Sequence, residues 1–147
     1  MVDVTTDILI KCSRAKVSEF TSDPDNAPKW YLNIKSAQWK TPKPLTLGSR
    51  IAFKAQFLGR QLAYVYEIVE LVPGQKLVMR TADGPFSMQT TYLREDIDGK
   101  TTRMTLRNEG NPTGFSRLFA PFMSFAMKRA NQKDLKHLKS ILERNGK

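Results

Sequence analysis

Cysteine and histidine are nearly absent from this sequence of 147 residues: Cys12 and His137 are each the single residue of their kind. One cysteine makes no intrachain disulfide, so nothing points to an oxidising compartment or a disulfide-stapled fold. One histidine, even with Asp134 a turn earlier, offers too few ligands for a structural metal site. No metal and no cofactor is expected. No apolar run approaches the roughly 20 residues that a membrane-spanning helix needs. The opening "MVDVTTDILI" lacks the charged start, apolar run and small-residue cleavage site of a secretion signal, so a cytoplasmic protein is expected. Glycine-rich phosphate loops are missing too, since "LGSR" and "VPGQ" are single-glycine turns. Glu67, Glu70, Asp96 and Asp98 lack the reciprocal spacing of a catalytic carboxylate pair. With no internal repeat, low-complexity segment or linker, residues 1–147 read as one domain.

What the sequence does have is positive charge. Lys and Arg number 24 against 14 Asp and Glu, a formal net charge of +10. Such a surplus suits nucleic acid, an anionic membrane surface or an acidic ligand, and it also serves plain solubility. The basic residues are scattered from Lys11 to Lys147 and thicken only in the last third. No nucleic-acid motif accompanies them, so no specific nucleic-acid partner is expected. The hydrophobic share of 40% is that of a globular chain with a real core.

Val4, Thr6, Ile8 and Ile10 alternate with Thr5, Asp7, Leu9 and Lys11, the period of a strand with one dry face. Ser13 can cap a short helix carrying Val17 and Phe20 on one side. In "SDPDNAPKWYLN", Pro24 and Pro28 forbid one continuous helix, and Asp23-Pro24 reads as an N-cap followed by a first-turn proline. Trp30 and Tyr31 must then find a dry place, as a lid over the core or as the lip of a cavity. "IKSAQWKTPKPLTLG" reads as a strand ended by Pro42, Pro44 and Gly48. From Gly48 the period of two persists through the turns "LGR", "PGQ", "ADGP" and "DGK", which gives five strands of an antiparallel meander. After Gly110 the period is helical to Glu143, with a kink or restart expected at Pro121. Phe119, Phe122, Met123, Ala126, Met127, Ala130, Leu138 and Ile141 share an apolar stripe opposite Lys128, Gln132, Lys136 and Lys139. The expected class is α+β, a long C-terminal helix lying across a curved antiparallel sheet.

This order and four motifs together resemble the START-like (SRPBCC) superfamily, in its bacterial polyketide cyclase/dehydrase-like branch. The motifs are "VSEFTSDPDNAPKWY", "YEIVELVPGQKLVMR", "YLREDIDGKTTRMTLRNEG" and "LKHLKSILE", and the resemblance covers nearly the whole chain. It implies the helix-grip fold, a sheet wrapped around the terminal helix with two short helices after the first strand. It also implies an apolar cavity between sheet and helix, with Trp30 and Tyr31 near its mouth.

Strand alternation and the helical stripe supply candidates to line such a cavity: Phe53 and Phe57, Tyr64 and Tyr66, then Phe86, Met88 and Tyr92, with Met104 on the last strand. Facing them on the helix are Phe119, Phe122, Met123 and Met127. Aromatic and methionine side chains fill irregular space and also line adaptable apolar pockets. The expected partner is a small hydrophobic molecule, held by a carrier or sensor that is a monomer or weak homodimer. Two alternatives stand beside it. One is a cyclase or dehydratase using the same cavity, for which Tyr64, Tyr66, Tyr92 and His137 are the acid or base candidates. The other is a regulatory protein that presents its basic helix face to a partner or membrane. No catalytic constellation is assigned, and the His137–Asp134 pair reads as a structural contact at the foot of the helix.

Overall fold

The alternation of the first segment becomes strand β1 (Val2–Ile10), with Val2, Val4, Thr6 and Ile10 buried and Asp3, Thr5, Asp7 and Leu9 exposed. The computed structural model describes residues 2–57, 59–83, 87–111 and 120–145. Ser13 caps helix α1 (Arg14–Thr21), its hydroxyl accepting from the Lys16 amide at 3.4 Å. Asp23 caps a single 3-10 turn (Pro24–Asn26) by accepting from the Asp25 amide at 3.0 Å, and helix α2 (Ala27–Trp30) follows at once. Each of these two short pieces carries its proline in the first turn, where the missing N–H has no helical partner to lose.

The chain then runs through β2 (Ile34–Trp39), β3 (Arg50–Phe57), β4 (Arg60–Val72), β5 (Lys76–Asp83), β6 (Ser87–Asp96) and β7 (Thr102–Asn111), and ends in helix α3 (Ala120–Asn145). All seven strands form one antiparallel sheet in the order β1-β7-β6-β5-β4-β3-β2. Only β1 is out of sequence order, lying beside β7 with Val2 opposite Gly110 and Ile10 opposite Thr102. Register shifts between Ile34 and Ser36, and at two places along β4, give the irregular pairing that bends a sheet. The β6–β7 turn follows its sequence chemistry: Asp96 accepts from the Gly99 amide, Asp98 accepts from the Lys100 amide, and Gly99 takes φ +81°.

Helix α3 packs on β1 and α2, and its inner side completes a core with Trp30, Ile51, Phe53, Tyr92, Met104 and Leu106. This is the helix-grip arrangement. Among the described residues, no helix is long and apolar enough to cross a membrane.

Of the kink or restart expected at Pro121, no kink interrupts the described helix, which runs unbroken over Ala120–Asn145 with Pro121 as its second residue. Residues 112–119, including the stripe residue Phe119, lie outside the described residues. One expectation about this helix needs correction: its buried face is rotated from the expected stripe. It runs through Met123, Met127, Asn131, Asp134, Leu135, Leu138 and Leu142, while Phe122 is 55% exposed. The expected stripe leaves out Leu135 and Leu142, which are buried, and counts Phe122, which is exposed. At 3.6 residues per turn this moves the centre of the buried face by roughly 70°, and Asn131 and Asp134 fall within the shifted face.

Arg94 of β6 is a second buried polar group. It is sequestered against α1, donating to the Ser18 and Ser22 hydroxyls at 3.2 Å each, and burial lowers its guanidinium to about 10. It ties the first helix to the sheet, and with it the α1–α2 segment that abuts the cavity.

Candidate functional site

Between α3 and the half of the sheet nearest β4 the core does not close, and a cavity of about 100 Å³ remains. Its walls come from the corner after α2 (Tyr31, Asn33, Ile34), from β3 (Ala55, Gln56) and from β4 (Leu62, Tyr64, Tyr66). The far side is Met88 and Thr90 of β6, Asn108 of β7, and Met127, Ala130, Asn131 and Asp134 of α3. Strand periodicity places these residues. Leu62, Tyr64 and Tyr66 lie two apart on β4, as do Met88 and Thr90 on β6, so each set points to one face.

The aromatic part of the wall is a cluster. The rings of Tyr64 and Tyr66 stand 5.2 Å apart edge to face, and Phe53 packs behind them at 6.1 and 5.9 Å. Edge-to-face contacts of this kind hold rings rigidly. On the α2 side, Trp30 stacks on Tyr31 at 3.9 Å and meets Tyr92 at 5.7 Å.

The polar groups divide into those already satisfied and those that are not. Thr90 donates to Asn108 Oδ1 at 2.8 Å, so its oxygen accepts the hydroxyl proton of Tyr66 at 2.8 Å and that chain is complete. Tyr31 and Tyr92 share a short hydroxyl–hydroxyl bond of 2.6 Å. Asp134 Oδ1 accepts from the Leu32 amide at 2.9 Å, and His137 Nδ1 donates to the Trp30 carbonyl at 3.3 Å. Asp134 and His137 therefore each secure the end of α2. Asn131 Nδ2 is different: it is buried and has no hydrogen-bond partner.

Burial sets the electrostatics. It pushes the Asp134 carboxyl up to about 6, against the opposing pull of the Leu32 amide and of His137. Burial likewise pushes Tyr66 up to about 12 and raises Tyr31, Tyr64 and Tyr92 further. At neutral pH the tyrosines are neutral hydrogen-bonding groups. Asp134 is the carboxyl that burial brings towards neutrality.

Of the residues that the sequence nominates, Tyr31, Tyr64, Tyr66, Met88 and Met127 come together on the cavity wall. Phe53 and Tyr92 stand immediately behind it as ring supports. Trp30 is only 1% exposed, so it plugs the core beneath Tyr31 and does not stand at a mouth. Met104 is fully buried in the main core, and Met123 packs with Val2 and Val4. Phe122 points to solvent and does not line the cavity. Phe86, Phe119 and the Phe57 side chain lie outside the described residues.

The residues that sequence reasoning did not nominate are the polar and small ones: Asn33, Ala55, Gln56, Thr90, Asn108, Ala130, Asn131 and Asp134, along with Ile34 and Leu62. Some carried a signal. Ala55 shares a strand face with Phe53, Thr90 with Met88 and Tyr92, and Asn131 sits one turn before Asp134. A search for large apolar side chains passes over them.

A sequence profile described as polyketide cyclase / dehydrase and lipid transport matches residues 1–143. The chain belongs to that family. Solved structures share the fold over their whole length. A START superfamily protein from Mycobacterium smegmatis superposes with a TM-score of 0.85 at 12% identity, covering 97% of this chain and 98% of that one. The Zhui aromatase/cyclase from a Streptomyces species gives 0.82 at 12% identity, covering 99% and 95%. The major latex-like protein 151 of Panax ginseng gives 0.71 at 11% identity, covering 95% and 96%. No curated protein matches the sequence. At such identities the structures share a fold with this chain and nothing finer.

Proposed function

We propose that the protein binds a small, mainly apolar molecule of about one ring in size in the cavity between sheet and α3, with a carbonyl or similar acceptor as its polar end. The observation that carries this reading is the buried, unpartnered Asn131 amide in a tyrosine-walled cavity. Leaving a buried donor unmade costs about 1–3 kcal/mol, so a ligand acceptor placed there recovers what the fold forgoes. Below about pH 6 the protonated Asp134 carboxyl offers a second donor one turn further along α3. The cavity of about 100 Å³ is smaller than the ~150 Å³ void that takes up benzene in an engineered protein, so even a single ring must displace Met88 or Met127, side chains whose flexibility suits that movement.

The Asp134 carboxyl also favours a second reading, a cyclase or dehydratase in which it takes a proton from a carbon or hydroxyl next to the bound carbonyl. A base poised near the working pH is suited to that transfer. The two readings separate by turnover. Native mass spectrometry of freshly purified protein should show a copurifying small molecule released under denaturing conditions. Recovery of that molecule unchanged after incubation supports the carrier, and its cyclised or dehydrated form supports the enzyme. Protein free of any adduct that also fails to take up acetophenone would overturn both.

A further inference from the structure

The exposed side of α3 belongs neither to the core nor to the cavity, and its composition is uneven. Phe122 and Phe125 are 55% and 65% exposed, among the most exposed large hydrophobic side chains described. Next along the same side come Arg129, Lys133 and Lys136, all exposed. At 3.6 residues per turn these five side chains fall within an arc of roughly 80°, over an axial length of about 21 Å. From Ala120 to Leu142 the one acidic residue is Asp134, which is buried on the opposite side. Glu143, the next acid, is taken by Lys139 and the Lys11 amide. Arg129, Lys133 and Lys136 make no ion pair among the described residues, whereas Asp3, Asp25, Glu67 and Glu70 elsewhere each hold a basic partner.

We infer that this stripe is a docking surface for an anionic lipid bilayer, with Phe122 and Phe125 entering the interface and the three cations resting on the headgroups. A helix lying in the interface needs an exposed apolar element beside unneutralised basic residues, and both are present in one line. The charge pattern disfavours a second copy of this chain, since an antiparallel two-fold pairing of the stripe sets Arg129 against Arg129 and Lys133 and Lys136 against Phe125 and Phe122, leaving the three cations without an acidic partner. It also disfavours a duplex nucleic acid, which has no use for two phenylalanines at the end of a phosphate-binding line. The inner side of the same helix carries Met127, Ala130, Asn131 and Asp134 of the cavity, so docking would set the ligand chamber one helix diameter from the bilayer. The inference does not depend on the ligand reading, because its test uses lipid alone.

Cosedimentation of the full chain with vesicles of phosphatidylcholine, or of equimolar phosphatidylcholine and phosphatidylserine, tests it. Binding is expected only to the anionic vesicles, with release at about 0.5 M salt, where charge is screened within a few ångströms. Each of Arg129→Glu, Lys133→Glu and Lys136→Glu should weaken partitioning by roughly fivefold or more. The double variant Phe122→Ser/Phe125→Ser should weaken it by at least about tenfold. Both sets lie on the surface, so an unchanged melting temperature and an unchanged circular dichroism spectrum certify the fold. Equal binding to neutral vesicles, or none to anionic ones, overturns the inference. So does binding to RNA that the serine variants retain, or a dimer that they dissolve.

Discussion

Asn131 places a donor in a dry cavity without giving it a partner, and replacing it tests whether that arrangement serves a ligand. Asn131→Leu keeps the volume and removes the unmade bond, so urea unfolding should show a gain of about 1 kcal/mol. The same variant should lose any preference for acetophenone over ethylbenzene. A residue kept only for packing would show neither change. Asp134 makes a second residue-scale expectation with a definite sign. Its folded value of about 6 stands above the ordinary 3.8, so between these values the folded chain keeps a proton that the unfolded chain releases. Its contribution to stability is therefore fullest below pH ~4 and falls as pH rises towards ~6. Asp134→Asn, which can still accept from the Leu32 amide, should be more stable than the parent above that window and equal to it below. Denaturant melts on both sides of the window measure the difference. These two residues were the least legible in the sequence. The sequence places Asp134 only as a structural partner of His137 and gives Asn131 no role, whereas the fold sets both on the cavity wall, with Asp134 accepting from the Leu32 amide.

At the scale of elements, legibility followed local chemistry. The strands of the meander are readable because turns such as those at Gly74 and Gly99 carry a glycine in the positive-φ position they need. No neighbour obstructs a Cβ there, so Gly99→Ala should cost about 1 kcal/mol, from backbone conformation alone. The caps at Ser13 and Asp23 were readable for the same reason. The position of β1 beside β7 carries no local signal, because it joins residues a hundred apart and follows only from the closure of the sheet. The phase of α3 differs from the expected stripe for another reason: the greasy N-terminal turns weigh Phe122 equally with Met123, and the buried Leu135, Leu138 and Leu142 further along decide for Met123. Truncations check the observed phase. Leu138→Ala, at a position with no exposure, should cost about 2–5 kcal/mol. Phe122→Ala should stay within about 0.5 kcal/mol of the parent. Equal losses at both positions would contradict the observed helix face.

For the molecule as a whole, the fold separates two properties that composition mixes together. The apolar residues build a sheet wrapped on a helix with an unfilled chamber between them, while the outer side of that helix carries part of the scattered basic surplus, Arg129, Lys133 and Lys136 among it. Membership of the polyketide cyclase / dehydrase and lipid transport family fits the chamber, and the identity of its occupant rests on the donors within it. Ala130 lines the chamber on α3 and is small, so Ala130→Phe fills the void with the helix itself undisturbed. The most direct measurement is an NMR titration of the parent and of Ala130→Phe with acetophenone, following backbone amides and the Asn131 side-chain amide. The account predicts saturable shifts in the parent, confined to residues around Tyr31, Tyr64, Met127 and Asn131, and their loss in the filled variant at unchanged fold. Shifts that never saturate, or that survive in Ala130→Phe, would contradict a ligand chamber between sheet and helix.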